Sequence, residues 1–222
     1  MTYQHCFADG TPVDLPVGKV VCVGRNYAEH AKELNNPIPA EPLLFIKPST
    51  AIAPLAEPIV LSPSRGPVHY ETEIALLIGS RLSGEVSEAE ACQAIAGVGL
   101  ALDLTLRELQ DQLKAKGHPW ERAKAFDGAC PLSLFVPVAD VPVLSELSLE
   151  LQINGTLRQQ GSAEQMITPI PRVLQQIAEV FTLLPGDVVI TGTPAGVGVL
   201  HAGDQLQAAI PGLLAQATAV RG

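Results

Sequence analysis

The chain is short of positive charge: 14 Lys and Arg face 23 Asp and Glu in 222 residues, for a formal net charge of -9. That balance argues against nucleic acid or an anionic membrane as partner, because both are held through basic surface. Cysteines are few, and Cys6, Cys22, Cys92 and Cys130 form no C-x-x-C pair. A zinc knuckle or dithiol redox motif is thereby excluded, and reduced thiols in the cytoplasm are expected. Long apolar runs are missing too, and Met1 to Cys6 has no basic stretch leading into an apolar one. Neither a membrane span nor a secretory signal is therefore expected.

What the chain has in quantity is punctuation. Nineteen prolines and nineteen glycines interrupt short apolar segments, and 47% of the residues are hydrophobic, ample for a core. Short strands and irregular loops follow from that pattern, rather than a helical bundle. Residues 1–18 read as a lead-in and 19–222 as a single domain.

Along the chain, Lys19 to Val23 reads as a buried strand, and Asn26-Tyr27-Ala28-Glu29 has the form of a helix N-cap opening a helix from Tyr27 to Leu34. Asn35 to Pro42 reads as a proline-rich loop before a strand at Leu43 to Ile46. Ser87 to Glu90 is a capping box whose helix should run to Gly97, with Gly99 to Leu102 extended and delivering Asp103. Thr105 to Glu108 is a second capping box, opening a helix with Leu106, Leu109 and Leu113 on its apolar face. Asn154-Gly155 between two alternating segments marks a hairpin, and Pro169 to Phe181 an amphipathic helix.

The chemistry concentrates at His69-Tyr70-Glu71-Thr72-Glu73, which runs into Ile74-Ala75-Leu76-Leu77-Ile78. Residues two apart on a strand share a face, so Glu71 and Glu73 place like charges together at the mouth of a buried strand. With Asp103 they offer three hard oxygen donors suited to Mg²⁺ or Mn²⁺. The same residues also read as two solvated glutamates and a helix-capping aspartate. His30 and Glu33, three apart on a helix, form either a general-base dyad or an ordinary surface pair. Arg25, Lys47, Arg107 and Lys124 all fall beside strand ends or helix starts, and Lys124, flanked by apolar residues, is the one expected to be buried against the carboxylates. The Gly192 to Gly198 segment lacks a phosphate-loop lysine and a following helix, so it is read as a tight turn able to approach a small anion, not as a nucleotide site.

Seven segments together resemble the fumarylacetoacetate hydrolase family in order and spacing: Gly24 to His30, Phe45 to Thr50, His69 to Glu73, Asp103 to Arg107, the Lys124 segment, Asn154-Gly155 and Ile190 to Pro194. The likeness is to the short, single-domain members that act as acylpyruvate hydrolases and oxaloacetate decarboxylases. It implies an α+β, β-rich fold of layered mixed sheets, a β-roll with a few short helices, and a homodimer. It also implies Glu71, Glu73 and Asp103 as metal ligands, His30 and Glu33 as the water-activating dyad, and Lys124 as the charge that stabilises the developing anion. Arg25, Lys47, Gln110 and Thr193 become substrate contacts. Tyr70, where many relatives carry a second histidine, and Glu108, where aspartate is usual, depart from the family without removing a ligand.

The activity implied is Mg²⁺- or Mn²⁺-dependent cleavage of the C-C bond of acylpyruvates, decarboxylation of oxaloacetate, or both, through a pyruvate enolate; the substrate is a small anionic 2-oxo acid. The alternatives are an isomerase, decarboxylase or hydratase of unsaturated dioxo acids, or a non-catalytic, metal-binding dimeric scaffold.

Overall fold

The computed structural model describes residues 3–34 and 37–222. Asn35 and Asn36 of the expected proline-rich loop, and Met1 and Thr2 of the lead-in, lie outside the described residues. In chain order the elements are β1 (Val20–Gly24), α1 (Ala28–Glu33), β2 (Leu43–Lys47), β3 (Ile52–Pro54), β4 (Ile59–Val60), β5 (His69–Tyr70), β6 (Thr72–Ile78), α2 (Glu88–Gln93), β7 (Ile95–Leu102) and α3 (Arg107–Ala115). There follow α4 (Glu121–Lys124), β8 (Cys130–Leu132), β9 (Val136–Pro137), β10 (Ser148–Ile153), β11 (Thr156–Ser162), α5 (Ile170–Val180), β12 (Val188–Ile190), β13 (Gly198–Val199), β14 (Gln205–Ile210) and β15 (Leu214–Arg221).

Eight strands form the central mixed sheet, in the order β2-β1-β12-β6-β7-β8-β3 with β9 beside β7. Five more form a second sheet, β11-β10-β14-β15-β4, and β13 pairs with β5. The central strand β6 is buried on both faces, which is why its sequence is a continuous apolar run rather than an alternation. Ile74, Leu76 and Ile78 face the larger core with α2, α5 and the second sheet, while Ala75 and Leu77 face a smaller core with Val20, Val188 and Phe135. The N-terminal segment is packed in: Val13 joins the smaller core, and buried His5 meets the Gly186 carbonyl at 3.1 Å. All four cysteines are free, and no helix among the described residues is long and apolar enough to cross a membrane.

Three local expectations are corrected. The α2 capping box forms, yet the helix stops at Gln93, because Ile95 to Leu102 pairs along the whole length of β6. Gly99 belongs to that strand for a packing reason: a Cβ there would sit 2.8 Å from the Leu134 carbonyl oxygen. Asn26 does not cap α1. Its amide donates to the Thr168 and Thr191 carbonyls and accepts from Thr168 N-H, which joins the end of β12 to the start of α5, and the cap position passes to Tyr27. Nor does Thr105 cap α3, because its hydroxyl donates back to the Asp103 carbonyl at 3.0 Å. The Asn154-Gly155 turn forms as expected, with φ of 54° and 74° at its two residues.

Candidate metal centre and active site

Strand register assembles the acidic residues. In the β6–β7 pair, Glu73 lies opposite Ala101 and Thr72 opposite Leu102. One further step sets Asp103 across from Glu71, and the Asp103 N-H donates to the Glu71 carbonyl at 2.8 Å. One oxygen from each of Glu71, Glu73 and Asp103 lies within 4.8 Å of the others, with all three side chains buried. Strand β12 runs antiparallel to β6 and delivers Gly192, whose N-H donates to Glu73 Oε2 at 2.6 Å.

Cations close around this floor. Lys124 Nζ reaches Glu71 Oε2 at 2.9 Å and Asp103 Oδ2 at 2.6 Å, and Arg107 pairs with Glu71 Oε1. Lys47 Nζ lies 2.8 Å from Asp103 Oδ1, off the line of a hydrogen bond, so that oxygen has no aligned donor. Burial pushes the Glu73 carboxyl well up, and neighbouring Asp103 and Glu71 push it further, outweighing the Gly192 N-H and the Lys124 charge that oppose them. For Glu71, burial also pushes upward, but Lys124, Arg107 and His30 outweigh it and hold the carboxyl below its usual range. Lys124 has its proton held by Asp103 and Glu71 against the cost of burial.

This donor set fits a divalent cation. Three buried carboxylates meet at ligand spacing, Asp103 Oδ1 keeps an unaligned lone pair, and burial, Asp103 and Glu71 all oppose the ionisation of Glu73, which a cation would relieve. The triad floors a small cleft of about 40 Å³, whose walls include Arg25, His30, Arg107, Gln110, Lys114, Trp120, Lys124 and Thr193.

Of the residues singled out in the sequence, His30, Lys124, Arg25, Gln110, Thr193 and the three carboxylates reach this cleft. Glu33 stands behind His30, accepting from Nδ1 at 3.2 Å through one carboxylate oxygen and from Gly196 N-H at 3.0 Å through the other. Lys47 is fully buried behind Asp103, its ammonium donating to the Lys124 and Ala129 carbonyls, so its position differs from that of a substrate contact. The Thr193 hydroxyl donates to the Thr72 carbonyl and accepts from Gln159, both at 2.8 Å. Gln159 also accepts from Thr72 N-H at 2.9 Å, clamping the Gly192 turn to the strand residue between the two glutamates. Sequence reasoning left Gln159, Lys114 and Trp120 out of the site. The only linear signal was the i, i+3, i+7 spacing of Arg107, Gln110 and Lys114.

Residues 19–221 match the family described as fumarylacetoacetate (FAA) hydrolase C-terminal. The chain belongs to the fumarylacetoacetate hydrolase family. The oxaloacetate tautomerase YcgM of Escherichia coli, of the same family likeness, is 48% identical over 95% of this chain and 96% of its own. A structure described as a fumarylacetoacetate hydrolase family protein from Yersinia pestis superposes with a TM-score of 0.95 at 49% identity, covering 98% of this chain and all of that one. Fumarylpyruvate hydrolase from Pseudomonas aeruginosa, solved with Mn²⁺ and pyruvate, gives a TM-score of 0.92 at 32% identity over 99% of this chain and 96% of that one. The family and its sheet-dominated fold thus agree with the expectation drawn from the seven segments.

Proposed function

We propose that this chain is a divalent-metal enzyme of small 2-oxo acids. It tautomerises and decarboxylates oxaloacetate and hydrolyses acylpyruvates, reactions that each pass through a 2-oxo acid enolate: that of oxaloacetate in tautomerisation, that of pyruvate in the two cleavages. The observation that carries this reading is the buried Glu71, Glu73 and Asp103 triad at the floor of a small cation-walled cleft. The likeness to an oxaloacetate tautomerase and to a hydrolase holding Mn²⁺ and pyruvate supports it.

When held by the three carboxylates, Mn²⁺ or Mg²⁺ supplies Lewis acidity that polarises the 2-oxo group. The remaining work falls to side chains. Arg25 and Gln110, which line the cleft, would orient the substrate carboxylate, and the Lys124 ammonium would face the negative charge that develops on the 2-oxo oxygen. His30 moves the proton at Nε2, because Nδ1 is engaged by Glu33, which fixes the orientation of the ring. In tautomerisation that proton is exchanged with substrate carbon; in hydrolysis it comes from the water attacking the C4 carbonyl. Decarboxylation needs no activated water. The working form is taken to be a cytoplasmic homodimer, which sedimentation would test.

The test is chelation followed by Mn²⁺ or Mg²⁺ addition, following enol-oxaloacetate decay, oxaloacetate decarboxylation and acetylpyruvate cleavage in parallel. Activity should vanish on chelation and return with the cation; full activity in the chelated protein would sink the metal mechanism. His30→Ala should cost acetylpyruvate hydrolysis about 100-fold or more and decarboxylation far less. Equal losses would make His30 a positioning group only.

A further inference from the structure

The face of α3 that meets the cleft carries Arg107, Gln110 and Lys114. On a helix this spacing makes one stripe, and seven residues at 1.5 Å each set the outer backbones about 10 Å apart along the axis. Arg107 marks the inner end, paired with Glu71 and donating to Gln110 at 2.9 Å. Lys114 marks the outer end. Helical side chains lean toward the N-terminus, and the Lys114 ammonium accordingly reaches Asp111, three residues back, while the residue lines the cleft.

The Lys114 ammonium lies 5.4 Å from the centroid of the Trp120 ring, half-buried, and its carboxylate neighbour Asp111 is 3.7 Å away and mostly exposed. An exposed pair at that distance holds a lysine only weakly. Burial lowers the pKa of Lys114, with Asp111 opposing and Arg107, Arg25 and Lys124 adding like-charge repulsion. An ammonium in that setting gains from an incoming anion.

We propose that Lys114 receives the distal carboxylate of a four-carbon dicarboxylate whose 2-oxo end lies at the acidic triad, and so favours dicarboxylate over monocarboxylate substrates. This rests on the 2-oxo acid reading above. The carboxyl carbons of such an acid are at most about 4 Å apart at standard bond lengths, and Lys114 lines the same cleft as the triad. Trp120 forms the wall between the two, with its ring under the ammonium.

Trp120 is the only tryptophan in the chain, so its fluorescence reports on this end of the cleft directly. With Mg²⁺-supplemented protein, malate probes both ends and oxalate the inner end alone. Lys114→Met should weaken malate binding about tenfold and leave oxalate within about twofold, with Lys114→Arg close to wild type. In kinetics, Lys114→Met should raise KM for oxaloacetate about tenfold with kcat within about twofold, and leave acetylpyruvate, a monocarboxylate, unaffected. Equal weakening of malate and oxalate, or equal losses on both substrates, would overturn the assignment. Wild-type protein that converts neither substrate would instead refute the proposed function, while the malate and oxalate titrations would still decide the role of Lys114.

Discussion

Lys47→Met separates a substrate contact from a structural cation. The Lys47 side chain is fully buried, its ammonium 2.8 Å from Asp103 Oδ1 and 3.1 Å from the Ala129 carbonyl, with a second bond to the Lys124 carbonyl. Methionine fills the space of the stem and leaves those oxygens without their cation. Removing one member of a buried ion pair costs about 3 to 5 kcal/mol. Asp103 keeps Lys124 at 2.6 Å, which argues for the lower half of that range. For a chain of this length each kcal/mol moves Tm by about 2 to 4 °C, so the chelated variant should melt about 6 to 16 °C below wild type by calorimetry. Adding Mn²⁺ should close part of the gap, because a divalent cation beside Asp103 supplies the missing charge. A raised KM with Tm within about 2 °C of wild type would refute this reasoning and return Lys47 to the role of a substrate contact.

Glu73→Gln removes a carboxylate whose ionisation burial, Asp103 and Glu71 all oppose, so the chelated variant should melt no lower than wild type. It should also lose most of the Tm increase that Mn²⁺ gives the wild type, and an undiminished increase in a thermal-shift titration would count against Glu73 as a ligand. Burial holds the pKa of His5 below its ordinary 6.5, only partly opposed by the bond to Gly186. The unfolded chain therefore binds the proton first, and the contribution of His5, full above about pH 6.5, is lost as pH falls from there through the folded-state value. In urea titrations across that window His5→Phe should flatten the acid-side slope of stability, whereas an unchanged slope would remove His5 as its source.

The elements with purely local causes were legible in the sequence: the Asn154-Gly155 turn, the Ser87 capping box, and β6 as a buried strand with Glu73 on it and Glu71 just ahead of it. What could not be read came from long-range pairing. The residues between Glu73 and Asp103 give no hint that the two meet, because the join is made by the antiparallel register of β6 and β7. The same pairing overrode the apparent helix end at Gly97. Asn26 has the residue type of an N-cap, but partners 142 and 165 positions away took its side chain. Lys47 looked like a site residue because it falls at a strand end and within a segment that resembles the family; only the depth of burial reveals that its ammonium lies behind Asp103.

Charge balance explains how a chain of net charge -9 admits an anion. Three carboxylates at the floor are matched in number by three cations, Lys47, Arg107 and Lys124, which pair with Glu71 and Asp103. With all three carboxylates ionised the cluster is formally neutral, and a divalent cation bound to it in that form would leave an excess of two positive charges, before Arg25 and Lys114 on the walls are counted. In a buried cleft such an excess is poorly screened and costly until an anion arrives. Metal and dianionic acid should therefore bind cooperatively, each raising the affinity for the other by the same factor. The acidic outer surface does not oppose this, because within a Debye length of about 8 Å at physiological salt the local cations dominate the field that a small anion meets.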